Sequence, residues 1–113
     1  MNLQLENKQV VVTGGSKGIG LAIALNFARE GARPVIVSRQ ASNLNNALAS
    51  FAAAHLPEPA IAEVDLSATG SDRYLFDLFP NADILVNNAG IGGNGVVEES
   101  TSQMYHDAFN VNV

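Results

Sequence analysis

Thr13-Gly14-Gly15-Ser16-Lys17-Gly18-Ile19-Gly20 stands between two stretches of different hydrophobic period. Before it, residues 9–12 (Gln-Val-Val-Val) form a short β-branched run. A run with no polar alternation suits a strand buried on both faces of a parallel sheet. After it, Ile19, Ala22, Ile23 and Phe27 recur at helical spacing up to Glu30. Gly31 then fits the C-terminus of that helix, where a positive φ is needed. The glycines thus lie at a turn from strand to helix.

Outward from this unit the alternation continues. Residues 34–38 (Pro-Val-Ile-Val-Ser) read as a second strand, with Pro34 tolerated at its start. Ser42 is the expected cap of a second helix, whose apolar positions are Leu44, Leu48 and Phe51. Pro57 and Pro59 end it. Residues 60–64 form the third strand, and a short helix over residues 71–79 presents Leu75, Leu78 and Phe79. Residues 83–86 form the fourth strand, followed by Asn87-Asn88-Ala89-Gly90 and a glycine-rich loop. Ser100 and Gln103 suit the capping box of a fourth helix, with Met104 and Ala108 on its buried side and Glu98 and Glu99 favouring its dipole. Strands alternating with helices imply right-handed crossovers and a parallel sheet covered on both faces. The expectation is one three-layer α/β domain over residues 1–113.

Composition bounds the chemistry. The chain is 47% hydrophobic and 15% charged, which supports a packed core rather than disorder. Its net charge of −5 does not suit nucleic acid or an anionic membrane. Without cysteine there is no disulfide, thiolate nucleophile or cysteine-based zinc site. His55 and His106 are too few for a histidine-rich metal centre and are expected on solvated helix surfaces. The first residues lack a secretory pattern, and no apolar run is long enough to span a bilayer. A soluble, cytoplasmic protein is the expectation.

The glycine loop carries chemistry through its backbone. Glycine permits a tight turn and lets a pyrophosphate approach without a Cβ in the way. The first N–H groups of the following helix lack intrahelical acceptors and can bind an anion. Gly20 permits close packing of helix on sheet. The same glycines could serve only to make the turn, so the end of strand two is the discriminating place. An NAD site holds the ribose hydroxyls with an acid there. Here the positions are Ser38 and Arg39. Arg39 can pair with a 2′-phosphate, Ser38 can hydrogen-bond to it, and Lys17 lies within the loop. NADP(H) is therefore expected over NAD(H). A methyltransferase binding S-adenosylmethionine shares the order of elements, but would want an acid where Arg39 stands.

These residues resemble the classical short-chain dehydrogenases/reductases. The stretch from Thr13 to Gly20 is similar to the family's T-G-x-x-x-G-x-G loop, and Asn87-Asn88-Ala89-Gly90 to its N-N-A-G motif. Asp65 follows strand three as does the family's adenine-contacting Asp, and Val111-Asn112-Val113 resembles the segment with its catalytic Asn. The resemblance implies a doubly wound, Rossmann-type parallel sheet with strand order 3-2-1-4. It also implies hydride transfer between nicotinamide and a small carbonyl or alcohol substrate. The implied cofactor residues are Gly14, Ser16, Lys17, Gly18, Ile19, Gly20, Ser38, Arg39, Asp65, Leu66, Asn88, Ala89 and Gly90. Asn112 is the implied catalytic residue, and Asn87 a structural tie between strands.

The family's Ser and Tyr-x-x-x-Lys, which orient the carbonyl and move the proton, lie beyond the matching segment. The only tyrosines, Tyr74 and Tyr105, are followed four positions on by Leu78 and Phe109. The expectation is a chain truncated relative to the family, carrying its N-terminal, cofactor-binding half and inactive alone. The alternative is a dinucleotide-binding or interaction module without turnover. Strand four would then present an unpaired apolar edge, so the expectation is self-association as a homo-oligomer, or order only in the company of the missing part.

Overall fold

The computed structural model describes residues 3–88 and 96–99. Among these, a single sheet of five strands has the order β3-β2-β1-β4-β5. The strands are β1 (Gln9–Thr13), β2 (Arg33–Ser38), β3 (Ala60–Glu63), β4 (Ile84–Asn87) and β5 (Val96–Glu99). Three helices connect the first four: α1 (Gly18–Arg29), α2 (Ala41–Ala53) and α3 (Ser71–Leu78). β1 pairs in parallel with β2 and β4, and β2 with β3, which is the doubly wound arrangement.

The apolar run of β1 is explained by its two neighbours across the sheet. Val10 and Val12 pack on one side with Ile36, Val86, Leu44 and Phe51, and with Ala24 of α1. Val11 packs on the other with Val35, Val37, Leu85 and Leu75 of α3. All three valines are fully buried, and each such side chain contributes roughly 1.5–3 kcal/mol relative to exposure.

The stripe of α1 that faces the sheet differs from the one the sequence suggests. Ala22 is exposed, as is Ile19 at 69%, while Gly20 and Ala24 are buried. At Gly20 only a small residue fits, because a β-carbon there would overlap the Gly14 carbonyl oxygen. The larger apolar side chains of α1, Ile23 and Phe27, are half-buried at the flanks. On α3, Leu75 is buried as expected but Leu78 is 45% exposed.

Ser42 does not cap α2. The helix begins at Ala41, with Gln40 as its flanking residue and no side-chain cap bond. The turn is set earlier, by the Gln40 N–H donating to Ser38 Oγ at 3.3 Å and by Asn43 Nδ2 donating to Gln40 Oε1 at 3.1 Å. Asp83 precedes β4 rather than belonging to it. Its N–H donates to the Gln9 carbonyl and its Oδ2 accepts from the Gln9 N–H, both at 2.9 Å.

Beyond β4 the structure departs from the expectation. Val96–Glu99 is a strand antiparallel to β4, with Asn87 opposite Val96 and Ile84 opposite Glu99. Glu98 and Glu99 therefore lie in a strand. The backbone of β4 is paired on both sides, so the open edge expected to drive self-association is absent. The fourth helix expected after Ser100, with His106, falls outside the described residues.

α1 and α2 end in the same way. At α1, Gly31 (φ 86°) donates to the Ala28 carbonyl and Ala32 to that of Phe27. At α2, His55 (φ 58°) donates to Ala52 and Leu56 to Phe51. These are paired Schellman closures, but the second places a β-carbon in the left-handed region. His55→Gly is expected to raise the unfolding free energy by about 0.5–1 kcal/mol, the left-handed penalty outweighing glycine's entropy cost. Urea denaturation should show a higher midpoint at unchanged slope. A lower midpoint would show that the histidine holds this cap at no cost.

Candidate functional site

The chain turns to one side of β1 through β2 and β3, then returns to its other side as β4. Ligands of open α/β sheets bind at the C-terminal strand ends beside such a reversal. A cleft of about 360 Å³ lies there.

Its floor begins with the glycine turn. Gly14 takes φ 65° and its N–H donates to the Val37 carbonyl at 3.0 Å, which fastens the turn to the end of β2. α1 then starts at Gly18 (φ 59°), flanked by Lys17, with no side-chain cap and no acid in its first turn. That leaves its first N–H groups available to an anion. Gly20, at the third helical position, faces back onto the turn. A β-carbon there would overlap the Gly14 carbonyl oxygen and come within 2.8 Å of Asn88 Nδ2.

Thr13 holds the neighbouring strand ends. It is fully buried. Its hydroxyl lies 3.0 Å from Asn87 Oδ1 and 3.3 Å from the Val86 carbonyl, and accepts from the Asn88 N–H at 3.1 Å. The tie expected of Asn87 is thus to Thr13, joining β4 to β1. Asn88 Oδ1 is buried and has no hydrogen-bond partner among the described residues. Such an atom costs free energy unless something donates to it.

Of the residues singled out in the sequence, Gly14, Ser16 and Lys17 line the cleft from the turn. Ser38 and Arg39 line it from the end of β2, and Asp65 and Leu66 from the end of β3. Gly18, Ile19 and Gly20 form the first turn of α1 beside it. Ala89, Gly90 and Asn112 fall outside the described residues. Three polar lining residues were not anticipated: Gln40, Asn43 and Ser67. The first two belong to the turn and first helical residues after Arg39, where polar side chains otherwise read as solvent-facing. Ser67 stands two residues after Asp65, the spacing of a local Asx turn, which could have drawn notice to it.

Lys17, Arg39 and Asp65 are the charged lining groups, so the cleft is locally cationic in a chain that is acidic overall. Asp65 Oδ1 accepts from Ser67 Oγ at 2.6 Å and from the Ser67 N–H at 3.0 Å. These two bonds, with the nearby Arg39 guanidinium, hold its carboxyl below the ordinary value. Among the described residues there is no grouping of side chains fit to hold a metal ion. No described helix is long and apolar enough to cross a membrane.

The family described as short chain dehydrogenase matches residues 8–113. The chain belongs to this family. An uncharacterised oxidoreductase of Bacillus subtilis is 38% identical over 92 residues, covering 80% of this chain and 35% of that protein. An NADP-dependent (R)-specific alcohol dehydrogenase of Lentilactobacillus kefiri is 35% identical over 117 residues, covering all of this chain and 46% of that one. The crystal structure of 2-keto-3-deoxy-D-gluconate dehydrogenase from Streptococcus agalactiae superposes with a TM-score of 0.69 at 31% identity, over 77% of this chain and 34% of that one. The chain thus spans less than half the length of these relatives.

Short-chain dehydrogenases bind a nicotinamide dinucleotide, and the described residues suit one. Gly18, at the start of α1, borders open space, and the buried Asn88 Oδ1 has no donor among the described residues. Gly20→Ala is expected to destabilise the fold by about 1–3 kcal/mol, because the turn must move to admit a methyl group. It should also abolish dinucleotide binding. Chemical denaturation and calorimetric titration would read both losses; native-like stability with intact binding would contradict the close approach of helix and turn.

Proposed function

We propose that these 113 residues are the cofactor-binding part of an NADP(H)-dependent oxidoreductase, one domain of Rossmann type. It moves a hydride between nicotinamide and a carbonyl or alcohol carbon of a small molecule. The observation that carries this reading is the end of β2. Ser38 and Arg39 line the cleft there, as does Lys17 from the glycine turn, and β2 itself ends in no acid. A phosphate on the adenosine ribose would meet two cations and a hydroxyl rather than an acid. The relative from Lentilactobacillus kefiri, named as NADP-dependent, supports the same choice.

In this reading the N–H groups of Gly18, Ile19 and Gly20 receive the diphosphate, with Gly14 and Ser16 shaping the turn. Asp65 and Leu66 receive the adenine edge. Asn88, Ala89 and Gly90 lie along the nicotinamide side, and Asn112 serves the reacting centre. The bound dinucleotide supplies or accepts the hydride; the residues here bind it and orient it. Proton transfer needs a further group, because neither Tyr74 nor Tyr105 has a lysine four positions on. We read the enzyme as homo-oligomeric, as short-chain dehydrogenases often are, and as cytoplasmic. A binding module without turnover is the second reading, favoured by that same lack of Tyr-x-x-x-Lys within the 113 residues.

NADPH is expected to bind about 10- to 150-fold more tightly than NADH, the worth of a charge-assisted contact of about 1.5–3 kcal/mol. Arg39→Asp should remove the preference. Calorimetric titration of both cofactors checks this, and equal affinities in the wild type would overturn the NADP(H) reading. These 113 residues by themselves should oxidise no NADPH with a panel of ketones and aldehydes. Sustained turnover, lost on a substitution within them, would show that the proton donor is present after all.

A further inference from the structure

Ser67 has no part in the functional reading so far, yet it makes the two shortest contacts to the one acid in the cleft. Its Oγ and its N–H both donate to Asp65 Oδ1, at 2.6 and 3.0 Å. No described hydrogen bond goes to Asp65 Oδ2. One carboxylate oxygen is therefore anchored and the other left open, on a side chain that is otherwise solvent-exposed. The backbone beneath is also held. Val64 N–H donates to the Ser38 carbonyl at 2.9 Å, Ala68 N–H to the Asp65 carbonyl at 3.1 Å, and Ser71 Oγ to the Leu66 carbonyl at 3.1 Å. Half-buried Leu66, with Val37 and Val64 packed beneath, gives the adjoining wall an apolar character. A flat aromatic base against that wall, with an exocyclic amine aimed at an open carboxylate oxygen, matches this chemistry.

We propose that Ser67 is a positioning residue for base recognition: it fixes the Asp65 carboxylate so that Oδ2 faces the amine of the bound adenine. This rests on the cofactor reading above. Fixing an exposed side chain before the ligand arrives removes part of the ordering cost of binding, worth about 2- to 10-fold in affinity. It also lowers the pH at which the acceptor would take up a proton. The charged groups sharing the cleft with Asp65 are Arg39 from the end of β2 and Lys17 from the glycine turn. Arg39 lowers the Asp65 pKa as Ser67 does, so both favour the carboxylate. The sign follows: losing the Ser67 hydroxyl moves the Asp65 titration up towards its ordinary 3.8, and protonation then begins at a higher pH.

The test is a double-mutant cycle with 2′,5′-adenosine diphosphate as the probe, titrated at pH 7. Ser67→Ala should weaken binding about 2- to 10-fold, and Ser67→Thr, which keeps the hydroxyl, should restore it. In an Asp65→Asn background Ser67→Ala should have no further effect. Carboxyl-carbon NMR of the ligand-free protein should show Asp65 titrating at higher pH in Ser67→Ala. Unchanged affinity in Ser67→Ala, or the same loss in both backgrounds, overturns the role of Ser67 while leaving the cofactor reading in place. A wild-type chain that does not bind the probe overturns the cofactor reading itself, and this role with it.

Discussion

The arrangement depends on how closely α1 lies against the turn that precedes it. There is no room for even one carbon between position 20 and the Gly14 carbonyl. That single contact has consequences in three directions. It places the unpaired N–H groups of the first helical turn over the end of the sheet, where an anion can reach them. It brings Asn88 against Gly20, so the end of β4 joins the same wall. It also accounts for Ala24 as the next buried position of α1, one turn further along. Large side chains are displaced to the flanks, and Ile19 is left exposed beside the cleft.

The parts of the fold that could be read from the sequence are those governed by local rules. The valines of β1, the glycine turn and the positive φ at Gly31 each follow from a short pattern with one physical meaning. The charge at the end of β2 is of this kind too, since Ser38 and Arg39 are placed by the length of the strand. The face of α1 was less legible. Periodicity alone finds Ile19, Ala22, Ile23 and Phe27, but only the distance between helix and sheet tells which residues can face inward. Gly20 and Ala24 win because they are small, and a hydrophobicity pattern does not record that advantage.

Capping and pairing were misread for a different reason. Ser42 is a good cap by type, but the Ser38 hydroxyl and the Gln40 amide oxygen organise the turn two to four residues earlier. Val96–Glu99 carries two acids ahead of a capping pattern, and acids are common at a helix start. What makes it a strand is β4, whose backbone needs a partner on its far side. Pairing between distant segments has no local signature, so glutamates that suit a helix dipole are equally compatible with an edge strand.

The electrostatics of the cleft show why whole-chain charge says little about a small site. The chain carries an excess of five negative charges, which alone argues against an anionic ligand. Yet the two cations of the cleft act over a few ångströms, whereas dispersed surface charges are screened within about 8–10 Å at ordinary ionic strength. The helix terminus adds its own partial positive charge at the same place. The one acid present is turned to a different use. With one oxygen held by Ser67 and attracted by Arg39, Asp65 stays ionised beside an apolar wall, at the far side of the cleft from the glycine turn. On the cofactor reading proposed above, Lys17 and Arg39 meet phosphate and Asp65 meets an amine. A nucleotide carries both groups at fixed separation, and a simple anion satisfies only the cations. On that reading the mixed charge of the cleft, rather than the net charge of the chain, is what suits it to an adenosine phosphate.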